Sequence, residues 1–337
     1  MDWFERVTGF RETNYDDTRA KLKVEGSRLQ YLINEKSYGI GELELASLHA
    51  LRERVKSAGG LPGRLKVSVT TGDVRQMHRS PENAGALFQV ASQFNLLEMT
   101  SPTVTPEHGV TRYQDDHTQG PACAIAAGAA TIFRNYFATV DGIGGQTKER
   151  QFDGLAGLGK SLGEAMGQQV EALWEMRNGY ALCTRAGLDS VAKHLQELRP
   201  EQVDVLRGEL RIGVHRDVDV TDGTGENRPQ VSQAFCSALP VAYCNVPRPH
   251  WEPFASLILQ AAYESTMWAA VLNAQRGASK IVLLTSLGGG AFGNDERWIY
   301  TAMRRALRMM SKFDLDVRLV SYGAPSPAML QLVEEFD

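Results

Sequence analysis

Residues 280–310 read KIVLLTSLGGGAFGNDERWIYTAMRRALRMM. The short apolar run in KIVLLTSL, ended by a cluster of glycines, predicts a buried strand. From Asp295 the apolar residues recur at helical spacing, so DERWIYTAMRRALRMM predicts a helix. DVRLVSYG, residues 316–323, predicts a second strand, followed by a terminal helix from about Pro325. Two strands joined through a helix default to a right-handed parallel crossover. FASLILQAAYESTMWAAVLNAQRG, residues 254–277, predicts a long helix just upstream. Helix–strand–loop–helix–strand–helix is the pattern of a three-layer α/β/α fold.

Upstream, RLKVSVTTGDV (64–74) predicts a strand ending in a turn, and ALFQVASQFNLLE (86–98) a buried strand. PACAIAAGAATIFRNYFA predicts a helix with Pro121 at its first position and Gly120 as N-cap. LRIGVHRDVDVT (210–221) alternates as a strand, VSQAFCSALPVAY predicts another, broken at Pro240, and YALCT (180–184) predicts a short one. SVAKHLQEL (190–198) predicts a helix stopped by Pro200. Residues 1–63 read as an N-terminal extension packed on the main domain. It has short strands in KLKVEG and RLQYLINEK and a helix-like IGELELASLHALRERVKSAG. Residues 64–337 read as the main domain, with a Gly-rich insertion of loop and short helix at about 142–200. Both additions are candidates for substrate recognition by position.

The chain has 337 residues, 43% hydrophobic and 23% charged, which is ordinary for a water-soluble globular protein. A net charge of −4 gives no basic field for nucleic acid or anionic lipid, so neither nucleic acid nor membrane is expected as a partner. The first residues lack the basic and apolar regions of a signal peptide. Cys123, Cys183, Cys236 and Cys244 form no CxxC pair, so free thiols in a reducing, cytoplasmic compartment are expected and a structural zinc is not.

Chemistry concentrates in the loop Gly288-Gly289-Gly290-Ala291-Phe292-Gly293-Asn294. Glycines between a strand and a helix let backbone approach a ligand, and consecutive N–H groups there favour a phosphate or diphosphate. No Gly-Lys-Ser/Thr follows, so it is not a Walker A loop. Phe292 reads either as a ring stacked on the ligand or as a plug beneath the loop.

This loop resembles the second phosphate-binding loop of macrodomains, particularly the poly-ADP-ribose glycohydrolase-like branch. Gly72-Asp73-Val74 resembles the turn whose Asp receives the adenine amino group, and the strand reaching Asn95 resembles the one leading into the first, catalytic loop. The family's paired glutamates, Asn-Ala-Ala-Asn string and Gly-Gly-Gly-Val loop are missing here. Instead Thr105-Pro106-Glu107 and Tyr113-Gln-Asp-Asp116-His-Thr118-Gln119-Gly120-Pro121-Ala-Cys-Ala form a TPE…YxxDxTQGPACA pattern. That pattern is similar to a divergent group of ADP-ribosyl hydrolases, which includes a bacterial effector that removes ADP-ribose from an arginine of ubiquitin, and eukaryotic relatives. The resemblance runs from about Lys66 to Gly323. It implies a macrodomain-like mixed sheet, ADP-ribose as ligand with no required cofactor, and an ADP-ribosylated protein, ubiquitin among the candidates, as substrate. A non-catalytic ADP-ribose reader is the alternative, as is another nucleotide-processing α/β enzyme.

Cleavage at C1″ of the distal ribose passes through an oxocarbenium-like state that a carboxylate stabilises. Asp116, Asp115 and Glu107 are the candidates, with Gln119 as hydrogen-bonding partner of ligand or water. Thr118 and Gly120, at the helix start, are expected to bind ADP-ribose together with Gly72, Asp73, Val74, Asn95 and residues 288–294. His108 and His117 read as surface groups or as an acid or base, and no metal-ligand spacing is found. A second acidic cluster, Asp217, Asp219, Asp222 and Glu226, reads as a guarded strand edge or as an acceptor for a guanidinium.

Overall fold

A computed structural model describes residues 1–223 and 228–336; Glu226 lies outside them. Seven strands form the main sheet: β1 Glu42–Ser47, β2 Lys66–Thr71, β3 Leu87–Ala91, β4 Arg211–Asp219, β5 Gln230–Cys236, β6 Ile281–Leu284 and β7 Asp316–Ser321. Their spatial order is β1-β4-β5-β3-β6-β7-β2. The five strands from β5 to β2 are parallel, while β4 runs antiparallel to both β5 and β1. The fold is therefore α/β with a mixed sheet. The expected crossover is present: Ile281 to Leu284 pair in parallel register with Asp316 to Leu319.

Side-chain alternation produces the three layers. Leu87, Val282, Leu284, Val317, Leu319, Ala234 and Cys236 share a core with the helices α1 Leu48–Ser57, Arg248–Gln275 and Glu296–Met309. Phe88, Val90, Phe235 and Leu283 point the other way, onto α2 Val74–Arg79, α3 Gln119–Ala126 and α4 Gly128–Tyr136 through Val74, Met77, Cys123 and Ala130. We number Arg248–Gln275 α5 and Glu296–Met309 α6.

Four local expectations change. The helix-like segment 40–59 splits into β1 and α1, with the Ser47 hydroxyl accepting from the Ala50 amide as the cap. Residues 1–63 thus include the edge strand of the main sheet rather than lying wholly outside it. The helix at 121–138 begins earlier, at Gln119, with Thr118 at the N-cap position. It breaks at Ala127, whose ψ of 53° is not helical. Pro200 does not only stop a helix: the 185–197 helix ends before it, and it opens a second one, Pro200–Gly208. The 142–200 region also holds an antiparallel hairpin, Trp174–Arg177 with Tyr180–Cys183.

Deleting residues 1–63 removes β1 and the buried Leu48, Leu51 and Val55. At about 1.5–3 kcal/mol for each such side chain, the loss is comparable to the whole stability of a domain, about 5–15 kcal/mol. A chain starting at residue 64 should show no cooperative thermal transition by circular dichroism. A melt within a few degrees of the full chain would contradict this.

Candidate functional site

The carboxyl ends of parallel strands collect the loops on one side of a sheet, and ligands enter there. In this chain the turns after β2, β3, β6 and β7 line two adjoining cavities. The smaller, about 280 Å³, is bordered by Ser92, Gln93, Glu98, Asp116, Tyr180, Tyr243 and Phe292, among others. The larger, about 600 Å³, is bordered by Asp73, Arg75, His117, Tyr300 and Tyr322, among others. Asp116, Thr118, Gln119, Thr285 and Ser286 border both, so the two form one cleft.

The cleft exists because β3 and β6 part company. They pair only at Leu87–Val282 and Phe88–Leu283. Beyond that point the gap is filled by a side chain: Gln119 Oε1 accepts from the Ala91 amide at 2.9 Å, and Gln119 Nε2 donates to the Gln89 carbonyl at 2.8 Å. Gln119 thereby stands in for a strand and anchors the start of α3 at the mouth of the gap. One acceptor and one donor position of its amide are engaged with backbone, so Gln119 is a structural residue of the cleft that also borders both cavities. Gly120 is likewise a packing residue. A Cβ there would overlap the Ala91 carbonyl oxygen and reach 3.3 Å from Glu98 Cγ.

Residues 287–294 divide by function. The amides of Gly289, Gly293 and Asn294 donate inside the loop, to Ser286, Gly290 and Gly288. The buried Asn294 side chain ties the loop to the Leu239 carbonyl at 2.8 Å. None of these three lines a cavity, so Gly289, Gly293 and Asn294 build the loop rather than face a ligand. Gly288, Gly290, Ala291 and Phe292 do line the smaller cavity. Their N–H groups donate to no acceptor among the described residues. Four unclaimed amides among the residues of one cavity wall are the feature that an anion held without cationic side chains requires. Arg75 is the one Lys or Arg side chain along either cavity among the described residues, and it is held by Asp222 at 2.7 Å. The Phe292 ring packs beside Tyr180 and Tyr243, with centroids at 5.3 and 5.6 Å. It is therefore an aromatic wall of the cavity as well as a support for the loop.

The other expected residues separate in the same way. Gly72, Asp73 and Val74 line the larger cavity, and one Asp73 oxygen accepts from the Arg75 amide at 2.8 Å, capping α2. Asp116 Oδ1 accepts from the Thr118 amide at 2.9 Å, and its other oxygen has no protein partner among the described residues. Asp115 is exposed and borders only an outward depression beside Arg112. Asn95 is fully buried, with its side chain bonded to the Leu97 amide and Gln151, so it shapes the turn and lies outside the cleft. Glu107 accepts from the Lys148 amide through one oxygen, has no partner on the other, and borders neither cavity. His108 caps its own turn through the Thr105 amide at 3.0 Å, and His117 is exposed at the rim of the larger cavity.

Asp217, Asp219 and Asp222 do not gather at the cleft. Asp217 forms a two-pronged pair with Arg276, Asp219 accepts from the Gly39 amide, and Asp222 holds Arg75 and Arg79. The strand carrying Asp217 and Asp219 is internal, between β1 and β5, so these acids are ion-pair and backbone partners rather than guards of a sheet edge. Among the described residues, no group of three or more His, Cys, Asp or Glu is arranged to hold a metal ion.

One cleft residue was not anticipated. Glu98, 1% exposed, lines the smaller cavity beneath the glycine loop. Its Oε2 lies 3.4 Å from Arg134 Nη2, while its Oε1 has no partner. Arg134 is itself buried, bonded to the Leu96 carbonyl at 3.1 Å and stacked 3.9 Å over the Phe235 ring. Burial disfavours the carboxylate more than Arg134 favours it, so the Glu98 carboxyl is pushed up to about 7. The sequence signal was a lone acid within the apolar run Phe94-Asn-Leu-Leu-Glu98-Met99. A buried acid there requires a partner or a task.

The N-terminal segment fixes the loop that carries Asp116. Glu12 accepts from the Val110 and Thr111 amides at 2.9 and 2.6 Å, and the Trp3 indole donates to the Thr111 carbonyl at 3.0 Å.

No protein-family model matches the chain, and no curated protein matches it. Among solved structures it is similar to poly(ADP-ribose) glycohydrolase from Deinococcus radiodurans in complex with ADP-ribose. That likeness has 11% identity and a TM-score of 0.48, over 88% of this chain and 95% of that chain. It is also similar to the same-named enzyme from Thermomonospora curvata bound to the inhibitor ADP-HPD, at 11% identity and a TM-score of 0.46, over 99% of each chain. No residue is assigned from these likenesses.

Two predictions follow from the geometry. Gly120→Ala should lower the melting temperature by several degrees, because its Cβ meets backbone. Gly290→Ala should leave it unchanged, because no atom lies within 4 Å of its Cβ. Equal melting temperatures for both variants would contradict the packing account. For Glu98 the sign is set by the raised carboxyl. The unfolded chain ionises near 4.5 and the folded chain near 7, so its contribution is full below 4.5 and is lost as pH rises through 7. The loss is at most about 3 kcal/mol. Buried His78 and His215, pushed down by burial to about 4 and about 3, act in the opposite sense in acid. The urea stability of the parent minus that of Glu98→Gln therefore isolates the term. That difference should fall between pH 5 and pH 8, and a flat difference would contradict it.

Proposed function

We propose that this chain binds ADP-ribose along the cleft and hydrolyses the bond joining C1″ of its distal ribose to a modified protein. The observation that carries the reading is the sorting of the 287–294 loop: of its five cavity-lining residues, Leu287 has its amide bonded to Tyr263, while Gly288, Gly290, Ala291 and Phe292 have unclaimed amides. That is the chemistry a diphosphate needs. Asp73 and Tyr322, which is 84% exposed at the rim of the larger cavity, supply a carboxylate and an open aromatic face for the adenine. Asp116, at the junction of the cavities, has an oxygen free to orient water or steady positive charge at the distal ribose. The Asp116 loop with its TQGP start is the feature similar to the divergent ADP-ribosyl hydrolases.

Within this reading the substrate is a mono-ADP-ribosylated protein, and an arginine linkage, with ubiquitin as one carrier, is the first to screen. The roles given to residues 1–63 and 142–200 belong to the same proposal. Glu12 and Trp3 support a positioning role for the former; the hairpin carrying Tyr180 supports a cavity-wall role for the latter. Four free thiols, three of them buried, fit a reducing cytoplasmic compartment.

A reader needs no carboxylate at C1″, so Asp116 distinguishes the two readings. Calorimetric titration with ADP-ribose should give binding in the micromolar range, and Gly290→Val should abolish it without lowering the melting temperature. Asp116→Ala should retain binding and lose about 10²–10⁴-fold in release of ADP-ribose from arginine-modified protein. Binding with no release from arginine-, serine- or glutamate-linked substrates would leave the reader. No binding at high micromolar ligand would reject both.

A further inference from the structure

We propose that Glu98 donates the proton to the leaving group of the reaction proposed above. It follows that the cleft serves bonds to a basic leaving atom, an alcohol oxygen or a guanidine nitrogen, rather than to a carboxylate. The inference rests on the hydrolase reading and adds a second carboxyl group and a substrate class to it.

Five features of this molecule carry it. Glu98 and Asp116 border the same cavity of about 280 Å³. Glu98 is 1% exposed, yet its Oε1 has no partner, an expensive arrangement for a group whose only task is packing. Its other oxygen is held by Arg134, which also bonds the Leu96 carbonyl and the Thr131 hydroxyl and so cannot follow a moving ligand. The Glu98 amide donates to the Tyr113 hydroxyl at 3.2 Å, which fixes the backbone beneath the carboxyl. Finally, the start of α3 is stripped of a side chain where it passes Glu98. A Cβ on Gly120 would stand 3.3 Å from Glu98 Cγ.

The titratable groups facing Glu98 are Arg134 from α4, Tyr113 from the 111–115 turn, Cys123 from α3, and Asp116 and Tyr180 across the cavity. Burial keeps Tyr113, Cys123 and Tyr180 protonated. Arg134 is the one fixed charge in contact. With the carboxyl raised to about 7, the neutral acid is available at physiological pH, as a donor requires.

The step balances as follows. The Glu98 O–H bond breaks and its proton passes to the leaving oxygen or nitrogen. The bond from that atom to C1″ breaks, its electron pair staying with the leaving atom. Water oxygen bonds to C1″ and releases its proton to the Asp116 carboxylate. Solvent exchange then returns one proton from Asp116 to Glu98. The products are ADP-ribose and the unmodified side chain. A carboxylate leaving group departs without a proton and gains nothing from Glu98.

The test compares leaving groups on one ADP-ribose scaffold: serine- and arginine-linked peptides against 4-nitrophenol attached at C1″. Glu98→Gln should lose about 100-fold or more in kcat/KM on the peptides and less than about 5-fold on the nitrophenyl compound. The parent chain needs no variant for its part. Its kcat/KM should fall above pH 7 on the peptides and stay level on the nitrophenyl compound. Equal losses on both classes, or one pH profile for both, would assign Glu98 a structural role and overturn the proposal. Release by the parent with Glu98→Gln unchanged overturns the Glu98 role alone. ADP-ribose binding without release from any substrate overturns the hydrolase reading and Glu98 with it.

Discussion

The side chain of Gln119 holds open the gap on which the cleft depends. A parallel sheet ordinarily closes its ladder to the strand ends, because an unpaired buried backbone group costs free energy. Here β3 and β6 separate after Phe88 and Leu283, leaving the Gln89 carbonyl and the Ala91 amide facing an empty lane. One primary amide, with an acceptor and a donor spaced like a peptide group, satisfies both. Separation of the strands is thereby stable without water, and the start of α3 is held at the mouth. Gly120 lets that helix approach β3 closely enough for Gln119 to reach.

The remaining elements can be read as consequences. The β6 turn leaves the sheet after Thr285, whose amide is tied to β3 only through the Gln89 side chain at 3.3 Å, and then opens into the glycine loop. The Asp116 turn is fixed at its end by α3 and at its beginning by Glu12 and Trp3 from the N-terminal segment. Glu98 lies between α3 and α4 under the same opening, with one oxygen 3.4 Å from Arg134. Arg134 is held through Nε by the Leu96 carbonyl and through Nη2 by the Thr131 hydroxyl, while the Phe235 ring covers its face and Nη1 has no partner. The cleft is thus a polar seam within a largely apolar molecule, framed by Gln119, Glu12 and Arg134, each of which bonds backbone.

How much of this was legible in the sequence follows from the range of the interactions involved. The β6–loop–α6–β7 unit was readable because periodicity, glycine clustering and a capping Asp are local signals within about forty residues. The Asp73 turn and the Asp116 loop were readable as turns at a strand end and a helix start, and both border the cleft. β1 was not, because Glu42–Ser47 runs straight into a helix and its pairing partner lies 170 residues away in β4. The structural tasks of Asn95 and Gln119 were not readable for one reason: amide side chains that bind ligands and those that bond backbone look alike in a sequence. Glu98 was passed over among apolar neighbours, although a lone acid in such a run is itself a signal. The glycines of residues 288–293 looked equivalent, and only the hydrogen bonds separate those that build the loop from those that face the cavity.

The central claim is that the backbone of this loop, rather than cationic side chains, receives an anionic ligand. Amide NMR of the labelled chain on addition of ADP-ribose tests it directly. The amide resonances of Gly288, Gly290, Ala291 and Phe292 should move downfield as their N–H groups gain an acceptor. Those of Gly289, Gly293 and Asn294, already bonded within the loop, should move much less. Saturating ADP-ribose that leaves the first set in place, or that shifts the two sets alike, would contradict the account.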